Sequence, residues 1–181
     1  MRKIFLLMNV SLDGYFEGPR HDISWATNDF AAFSPDQSEE VDTLLFGRKT
    51  YDLMKRFWPT PQAEQIAPEV AKFMNARRKV VVSHTSFEPG WHNVTVISDD
   101  VVEKLKKLKA QPGKTIAIFG SNTLCVSLMQ DGLIDEFQII VNPVALGKGT
   151  SLFKGLPKRA ALTLTGTRQF PSGAILLTYK P

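Results

Sequence analysis

Two glycine turns, each between a predicted strand and a predicted helix, are the parts of this sequence best suited to chemistry. The first reads Leu45-Phe46-Gly47-Arg48-Lys49-Thr50 and the second reads Ile118-Phe119-Gly120-Ser121-Asn122-Thr123. Glycine lets the backbone turn sharply, and the amides and dipole of the helix start that follows favour an anion. Arg48 adds a guanidinium suited to phosphate, and the Thr50 hydroxyl can donate to a phosphate oxygen. Two such turns together could hold the two ends of a dinucleotide.

Each turn also has an ordinary structural explanation. Arg48 could be an exposed arginine and Thr50 a capping residue. Ser121 and Asn122 are residue types that favour helix starts in any protein. The second turn matches neither the G-x-G-x-x-G pattern nor the P-loop pattern. From the residues alone, phosphate binding and helix capping both stay open at the two turns.

The histidines offer one further candidate and exclude one kind of site. Ser83 and His84 end a third predicted strand, where they could form a rim for an adenosine phosphate. A partly exposed loop histidine is the alternative explanation of His84. Because His21, His84 and His92 lack the spacing of metal ligands, we expect no protein-bound catalytic metal.

The polar run after the first predicted strand could form a catalytic loop. It begins at Asn9 and contains Ser11 and the pair Asp13-Gly14. The carboxylate of Asp13 is a candidate proton carrier, directly or through a water molecule. Because Asp-Gly is also a favourable turn pair, a plain turn is the alternative.

A second carboxylate, Asp29, lies on a predicted short helix that follows Trp25. Phe30 and Phe33 of that helix would line an apolar pocket. An apolar wall raises the pKa of a carboxyl group, so Asp29 could bind a cationic ring or relay a proton. The helix dipole alone also favours an acidic residue at a helix start, so a structural role for Asp29 is equally open.

An alternation of strands and helices must position these candidates. Apolar and β-branched runs bounded by turn residues predict strands at residues 3–10, 42–46, 79–83, 94–97, 115–119, 136–141, 161–169 and 174–179. Helices are predicted at residues 49–57, 99–109 and 123–130, and a loop or weak helix at residues 62–76. Strands separated by helices imply parallel crossovers, and the last two strands imply an antiparallel hairpin. The predicted class is α/β, with a mixed, mostly parallel sheet of about eight strands.

Composition limits the classes of protein that the sequence can encode. The chain has 181 residues, of which 43% are hydrophobic, and we expect one domain over residues 1–181. Its one cysteine, Cys125, excludes an internal disulfide and a cysteine-based zinc deaminase site. The net charge of +4 comes from scattered basic residues, so we expect no nucleic-acid partner. With no signal-peptide pattern and no membrane-spanning run, we expect a cytoplasmic protein without a membrane partner.

Six motifs run in a specific order along essentially the whole chain. They are Ser11-Leu12-Asp13-Gly14, Gly47-Arg48-Lys49-Thr50-Tyr51, Val81-Val82-Ser83, Phe119-Gly120-Ser121, Ile134-Asp135-Glu136-Phe137 and Asn142-Pro143-Val144-Ala145-Leu146-Gly147-Lys148-Gly149. Through them the sequence resembles the dihydrofolate reductase-like superfamily. Within it, the sequence is most similar to the RibD C-terminal reductase domains of riboflavin biosynthesis, as a stand-alone member. The resemblance implies a single-domain, three-layer α/β/α fold.

The resemblance also implies an activity. It is the NADPH-dependent transfer of a hydride to a C=N or C=O bond of a pyrimidine- or pterin-like small molecule, as in 5-amino-6-(5-phosphoribosylamino)uracil reductase. The residues expected to bind the cofactor are Asn9, Ser11, Gly47, Arg48, Lys49, Thr50, Ser83, His84, Gly120, Ser121 and Asn122. Trp25, Phe30 and Phe33 are expected to bind the substrate, and Asp29 and Asp13 are the catalytic candidates. Because stand-alone members are often homodimers, a homodimer is expected.

Two departures from the family pattern leave alternatives open. Trp25 precedes Asp29 by one residue fewer than the tryptophan-to-acid spacing of classical dihydrofolate reductase. Ser121 replaces the second glycine of the familiar Gly-Gly phosphate turn, which narrows the room for a pyrophosphate. The alternatives are a nucleotide-binding relative of the same fold that lost turnover, a dihydrofolate reductase proper, and a nucleic-acid-binding module.

Overall fold

The computed structural model describes residues 1–26 and 39–181. The described strands are β1 (Ile4–Ser11), β2 (Tyr15–Glu17), β3 (Val41–Gly47), β4 (Arg78–Val82), β5 (Val94–Ile97), β6 (Thr115–Phe119), β7 (Glu136–Asn142), β8 (Thr150–Ser151), β9 (Thr163–Gln169) and β10 (Ile175–Lys180). The described α-helices are α1 (Arg48–Phe57), α2 (Pro61–Ile66), α3 (Pro68–Ala76), α4 (Val101–Ala110) and α5 (Asn122–Gln130), and a short 3-10 turn spans Pro19–His21. None of these described helices has the length and apolar composition needed to cross a membrane. The helix predicted around Asp29 lies outside the described residues.

Eight of the described strands form one sheet, in the order β5-β4-β3-β6-β1-β7-β10-β9. The six strands from β5 to β7 in this order run parallel, and β10 is antiparallel to both β7 and β9. The predicted α/β class, the mixed sheet and the C-terminal hairpin are therefore confirmed. Parallel strands end on the same side, so β4, β3, β6, β1 and β7 end together along one edge of the sheet. We call it the carboxyl edge, and it is marked by Val82, Gly47, Phe119, Ser11 and Asn142.

The central strands alternate between two apolar cores, one on each face of the sheet. On β1, Leu6 lies in the first core and Phe5 in the second. Helices α4 and α5 close the first core, and α1, α2 and α3 close the second, with buried side chains that include Leu105, Leu128, Tyr51, Ala63 and Phe73. Since α1 follows β3 and α5 follows β6, two helices on opposite faces begin side by side at the carboxyl edge.

Two local features differ from expectation. Strands β2 and β8 form a separate antiparallel pair, with Tyr15 opposite Ser151. These strands are too short to show an alternation of apolar and polar residues in the sequence. They are strands only because their backbones pair with each other. The loop or weak helix predicted at residues 62–76 is instead the two helices α2 and α3. The signal that favours helices there is Pro61 and Pro68, which occupy the first helical positions.

Candidate functional site

The two glycine turns of the sequence meet at the carboxyl edge, because β3 and β6 are neighbours in the sheet. A Cβ atom on Gly47 would overlap the Oγ of Ser121. A Cβ atom on Gly120, which has a φ of +71°, would lie 3.0 Å from the Cγ2 of Thr50. Each turn therefore packs a hydroxyl-bearing side chain against the glycine of the other turn. This contact makes the two turns parts of one site.

Neither helix start has, among the described residues, an N-cap side chain that accepts a hydrogen bond from its first backbone amides. Helix α1 follows Gly47, which has no side chain, and α5 follows Ser121, whose side chain makes no cap hydrogen bond. Ser121 has a left-handed backbone, with φ 71° and ψ 83°, and its hydroxyl packs against Gly47 instead. The first-turn amides have no partner within their own helix, and they lie at the positive end of its dipole. The two adjoining helix starts are therefore suited to a ligand with two negative groups.

Arg48 is held at the start of α1 by two contacts. Its Nε donates to the Oδ2 of Asp52 at 2.8 Å, and its guanidinium carbon lies 3.8 Å from the centre of the Phe87 ring. Both side chains of the ion pair are about a third exposed, so the pair adds little to stability. Its effect is to fix the direction of a guanidinium beside the turn. Of the two residues that follow, Lys49 is exposed and Thr50 contacts Gly120.

The two residues after β4 that were predicted to bind the cofactor, Ser83 and His84, differ in their exposure. Ser83 is 4% exposed, and its Oγ donates to the backbone oxygen of Thr85 at 2.8 Å. The hydroxyl of Ser83 therefore closes the turn, and this geometry does not present it to a ligand. His84 is exposed. The same loop reaches the site through Phe87, which lies against Arg48.

Asp13 joins the loop after β1 to the loop after β7. Its carboxylate accepts hydrogen bonds from the Ser11 hydroxyl at 2.6 Å and from the backbone amides of Leu146 at 3.1 Å and Gly147 at 2.7 Å. The bond from Ser11, followed by those from the two amides, lowers the pKa of Asp13 to about 2. A carboxylate that stays ionised at neutral pH has no proton to donate. This environment argues against the catalytic role expected for Asp13 and gives it a positioning role between two loops.

Asparagines link the loops at the carboxyl edge. The side-chain amide of Asn142, which is fully buried, donates to the Oδ1 of Asn9 at 3.1 Å. The side-chain amide of Asn122 donates to the backbone oxygens of Leu152 and, at 3.2 Å, of Lys154. Asn9 and Asn122 therefore hold the frame of the site. In this geometry, Asn122 offers a ligand its backbone amide rather than its side-chain nitrogen.

Of the three residues expected to bind the substrate, the structure describes Trp25. This tryptophan is half-buried, and its indole N–H donates to the backbone oxygen of Asp22 at 2.9 Å. The indole nitrogen is therefore used within its own loop, and a substrate would meet the ring. Phe30, Phe33 and Asp29 lie outside the described residues.

For three residues of the site, the sequence did not predict a role there. Asp52 comes four residues after Arg48 on a helix, a spacing that favours an ion pair, so the signal was present. Asn142 is in register with Ser11 at the end of β7, which becomes visible only when the strand order is known. Nothing in the sequence indicates that Phe87 lies against Arg48, because the contact joins a helix start to a distant loop.

Comparison with known proteins decides the family. The family model of the RibD C-terminal domain matches residues 2–176. The chain belongs to this family. The chain is also similar to the uncharacterized protein YyaP of Bacillus subtilis (strain 168). The two are 34% identical over 178 residues, which are 98% of this chain and 94% of that protein.

Solved structures have the same fold as this chain. A Shewanella sp. PV-4 protein named for riboflavin biosynthesis is 23% identical, with a TM-score of 0.75 over 98% of both chains. The diaminohydroxyphosphoribosylaminopyrimidine deaminase/5-amino-6-(5-phosphoribosylamino)uracil reductase of Thermotoga maritima is 16% identical, with a TM-score of 0.70. That match covers 99% of this chain and 56% of the Thermotoga chain. The likeness confirms the predicted dihydrofolate reductase-like fold.

Proposed function

We propose that this protein is an NADPH-dependent reductase. It would transfer a hydride to a C=N or C=O bond of a pyrimidine- or pterin-like small molecule. Membership of the RibD C-terminal family supports a reductase. The observation that carries the proposal is the pair of adjoining helix starts, packed glycine against hydroxyl, with the fixed guanidinium of Arg48 beside them.

The residues at the carboxyl edge fit a dinucleotide. The first-turn amides of α1 and α5 would bind its phosphates, since both helix starts lack a side-chain cap among the described residues. Arg48 keeps guanidinium N–H groups beyond the Nε bonded to Asp52, and these would bind the 2′-phosphate of NADPH. Asn9, held by Asn142, would border the nicotinamide. A bound nicotinamide supplies the hydride, so the protein has to orient two rings and provide a proton.

The proposed proton source is Asp29 rather than Asp13. The hydrogen bonds from Ser11, Leu146 and Gly147 lower the pKa of Asp13 to about 2, so this carboxylate is harder to protonate than an ordinary aspartate. Trp25, Phe30 and Phe33 remain the proposed substrate contacts. In this assignment Asp13 acts on the reaction only through the loops that it joins.

Binding of NADPH tests the cofactor assignment. We expect NADPH to raise the Tm, because a ligand at about 100 times its Kd stabilises the native state by about 2.7 kcal/mol. Arg48→Gln should weaken NADPH binding by about tenfold or more and leave NADH binding nearly unchanged, since only NADPH carries the 2′-phosphate. Arg56→Gln, an exposed arginine on the same helix, is the matched control. A missing thermal shift at millimolar NADPH would overturn the assignment.

Turnover separates the reductase from its rivals. NADPH oxidation is followed with pyrimidinone, dihydrofolate and simple carbonyl substrates in parallel. Oxidation that depends on the pyrimidinone supports the proposed activity, and preferential oxidation with dihydrofolate indicates a dihydrofolate reductase proper. Binding of NADPH without oxidation across the panel indicates a relative of the same fold that lost turnover.

A further inference from the structure

A cavity of about 320 Å³ lies beside the small sheet of β2 and β8. Arg20, His21 and Lys148 all line it. The carboxylate in its wall, Glu17, accepts a hydrogen bond from the Nδ1 of His21 at 2.9 Å. Within residues 1–26 and 39–181, Arg20 and Lys148 form no ion pair. The lining therefore carries the positive charges of Arg20 and Lys148 and the negative charge of Glu17. Arg20 also lies near the Asp22 carboxylate.

Backbone packing, rather than loose side chains, forms the floor of this cavity. Strands β2 and β8 pair with Glu17 opposite Thr150. A Cβ atom on Gly149 would overlap the backbone oxygen of Glu17. Only glycine lets the two segments approach this closely, so the position of Lys148 relative to Glu17 is fixed by the chain itself.

The side of the cavity formed by Arg20 and His21 has a left-handed backbone conformation. The two residues follow one another with φ values of 60° and 61°. They are the two central residues of a turn that is closed by a hydrogen bond from the Asp22 amide to the Pro19 backbone oxygen at 3.3 Å, and a type I′ turn requires a positive φ at both central positions. This tight turn holds Arg20 at the wall of the cavity.

Two contacts connect the cavity to the carboxyl edge. Asp13, just before β2, binds the amides of Leu146 and Gly147, which directly precede Lys148. Asn122, at the second glycine turn, binds the backbone oxygen of Leu152, which directly follows β8. The cavity thus lies between the loops that leave β1 and β7, outside the proposed cofactor site.

We propose that this cavity is a second anion site, which binds a phosphate group by means of Arg20 and Lys148. A guanidinium can bind two oxygens of one phosphate, and an ammonium adds a point charge. The cavity volume is at the lower end of ligand cavities, so it accommodates inorganic phosphate or a small phosphate ester. A bound phosphate would bridge the loop that carries Arg20 and the loop that carries Lys148.

Binding of inorganic phosphate and of ribose 5-phosphate, with ribose as the uncharged comparison, tests the site. Calorimetric titrations are run without NADPH at constant ionic strength, so their outcome does not depend on the proposed reductase function. We expect both phosphates to bind more tightly than ribose. The double variant Arg20→Gln/Lys148→Gln should lose about tenfold or more in affinity for both phosphates. Tighter binding of ribose 5-phosphate than of phosphate indicates an ester ligand, and equal binding indicates the free anion.

Two control variants place the bound phosphate. Lys154→Gln removes an exposed lysine from the segment after β8 and should leave the affinity unchanged. Arg56→Gln removes an exposed arginine from α1 and should also leave the affinity unchanged. A loss in Arg48→Gln but not in the double variant would overturn the proposal, and so would equal binding of ribose and ribose 5-phosphate. The single variants Arg20→Gln and Lys148→Gln give the same comparison if the double variant does not fold.

Discussion

The carboxylate of Asp13 and the ammonium of Lys79 both have a lowered pKa. The two shifts have opposite effects, because the fold favours the charged form of Asp13 and disfavours the charged form of Lys79. Hydrogen bonds stabilise the charged form of Asp13. Lys79 is fully buried, its Nζ donates to the backbone oxygen of Asn75 at 2.7 Å, and it lies 4.4 Å from the centre of the Trp91 ring. Burial disfavours its charged form and lowers its pKa from 10.5 to about 8. One charge therefore supports the fold and the other opposes it.

Replacement of Asp13 should reveal a positioning role. The folded pKa lies below the ordinary value of 3.8, so the carboxylate stabilises the fold above that value and loses this effect as the pH falls toward 2. Asp13→Asn should lower the Tm at neutral pH, and its difference from wild type should shrink between about pH 5 and pH 3. The pH profile of kcat should keep its shape. Asp131→Asn, on an exposed residue, is the control, and a lost limb in the kcat profile would show that Asp13 does carry a proton.

Lys79 predicts the opposite response, at alkaline pH. Its folded pKa is lower than its unfolded pKa, so between about pH 8 and pH 10.5 the unfolded state binds more protons and stability rises with pH. Lys79→Met should remove this rise, which amounts to at most about 1.4 kcal/mol per pH unit. Urea unfolding at pH 7 and pH 9 measures it, with the exposed Lys72→Met as the control. Parallel pH dependence of wild type and Lys79→Met would contradict the prediction.

At the scale of secondary structure elements, the feature that defines the site is the contact between the turn before α1 and the turn before α5. Helix α1 packs on one face of the sheet and α5 on the other, yet Gly47 and Ser121 touch across the strand ends. The two helix starts are therefore positioned against one another as well as against the sheet. A side chain that separates the turns would disturb both helix starts at once.

A double-mutant cycle tests this contact. Gly47→Ala should destabilise the protein by about 1–3 kcal/mol and weaken NADPH binding, because its Cβ would overlap the Ser121 hydroxyl. Ser121→Gly removes that hydroxyl, so it should rescue the alanine variant, with a coupling of about 1 kcal/mol or more in urea unfolding. Gly166→Ala is the control, since its Cβ would lie 3.7 Å from the Cβ of Thr178, an ordinary contact. Additive effects of the two changes would show that the turns do not depend on one another.

The sequence predicted the elements far better than the contacts between them. Strands such as β6 are short apolar runs with turn residues at both ends, so hydrophobicity and local chemistry were sufficient. The position of the glycine turns also followed, because each stands where a strand meets a helix. The role of Asp13 did not follow, since its partners at Leu146 and Gly147 are distant in the chain. The sequence shows that a residue is polar, but only the fold determines which group becomes its hydrogen-bond partner.

For the whole molecule, the sheet order places the candidate site at its centre. The two glycine turns end β3 and β6, and β1, which leads into the Asp13 loop, is the next strand along. Cores on both faces hold these strands, so the site rests on the most buried part of the protein. The expected single domain, homodimer and cytoplasmic location stay predictions from the sequence and the family resemblance.

The central position of β1 also determines the order in which the sheet can be completed during synthesis. Its neighbours β6 and β7 follow it in the chain and end at Phe119 and Asn142, so β1 has neither of its sheet partners until the ribosome has passed those residues. Strands that are so distant in sequence pair slowly, because the entropy cost of closing a long loop comes before any stabilising contact forms. Until then the apolar side chains of β1 stay available to other chains, and to chaperones that bind such segments. The strand that organises the finished site is therefore a segment that needs protection while the chain is being made.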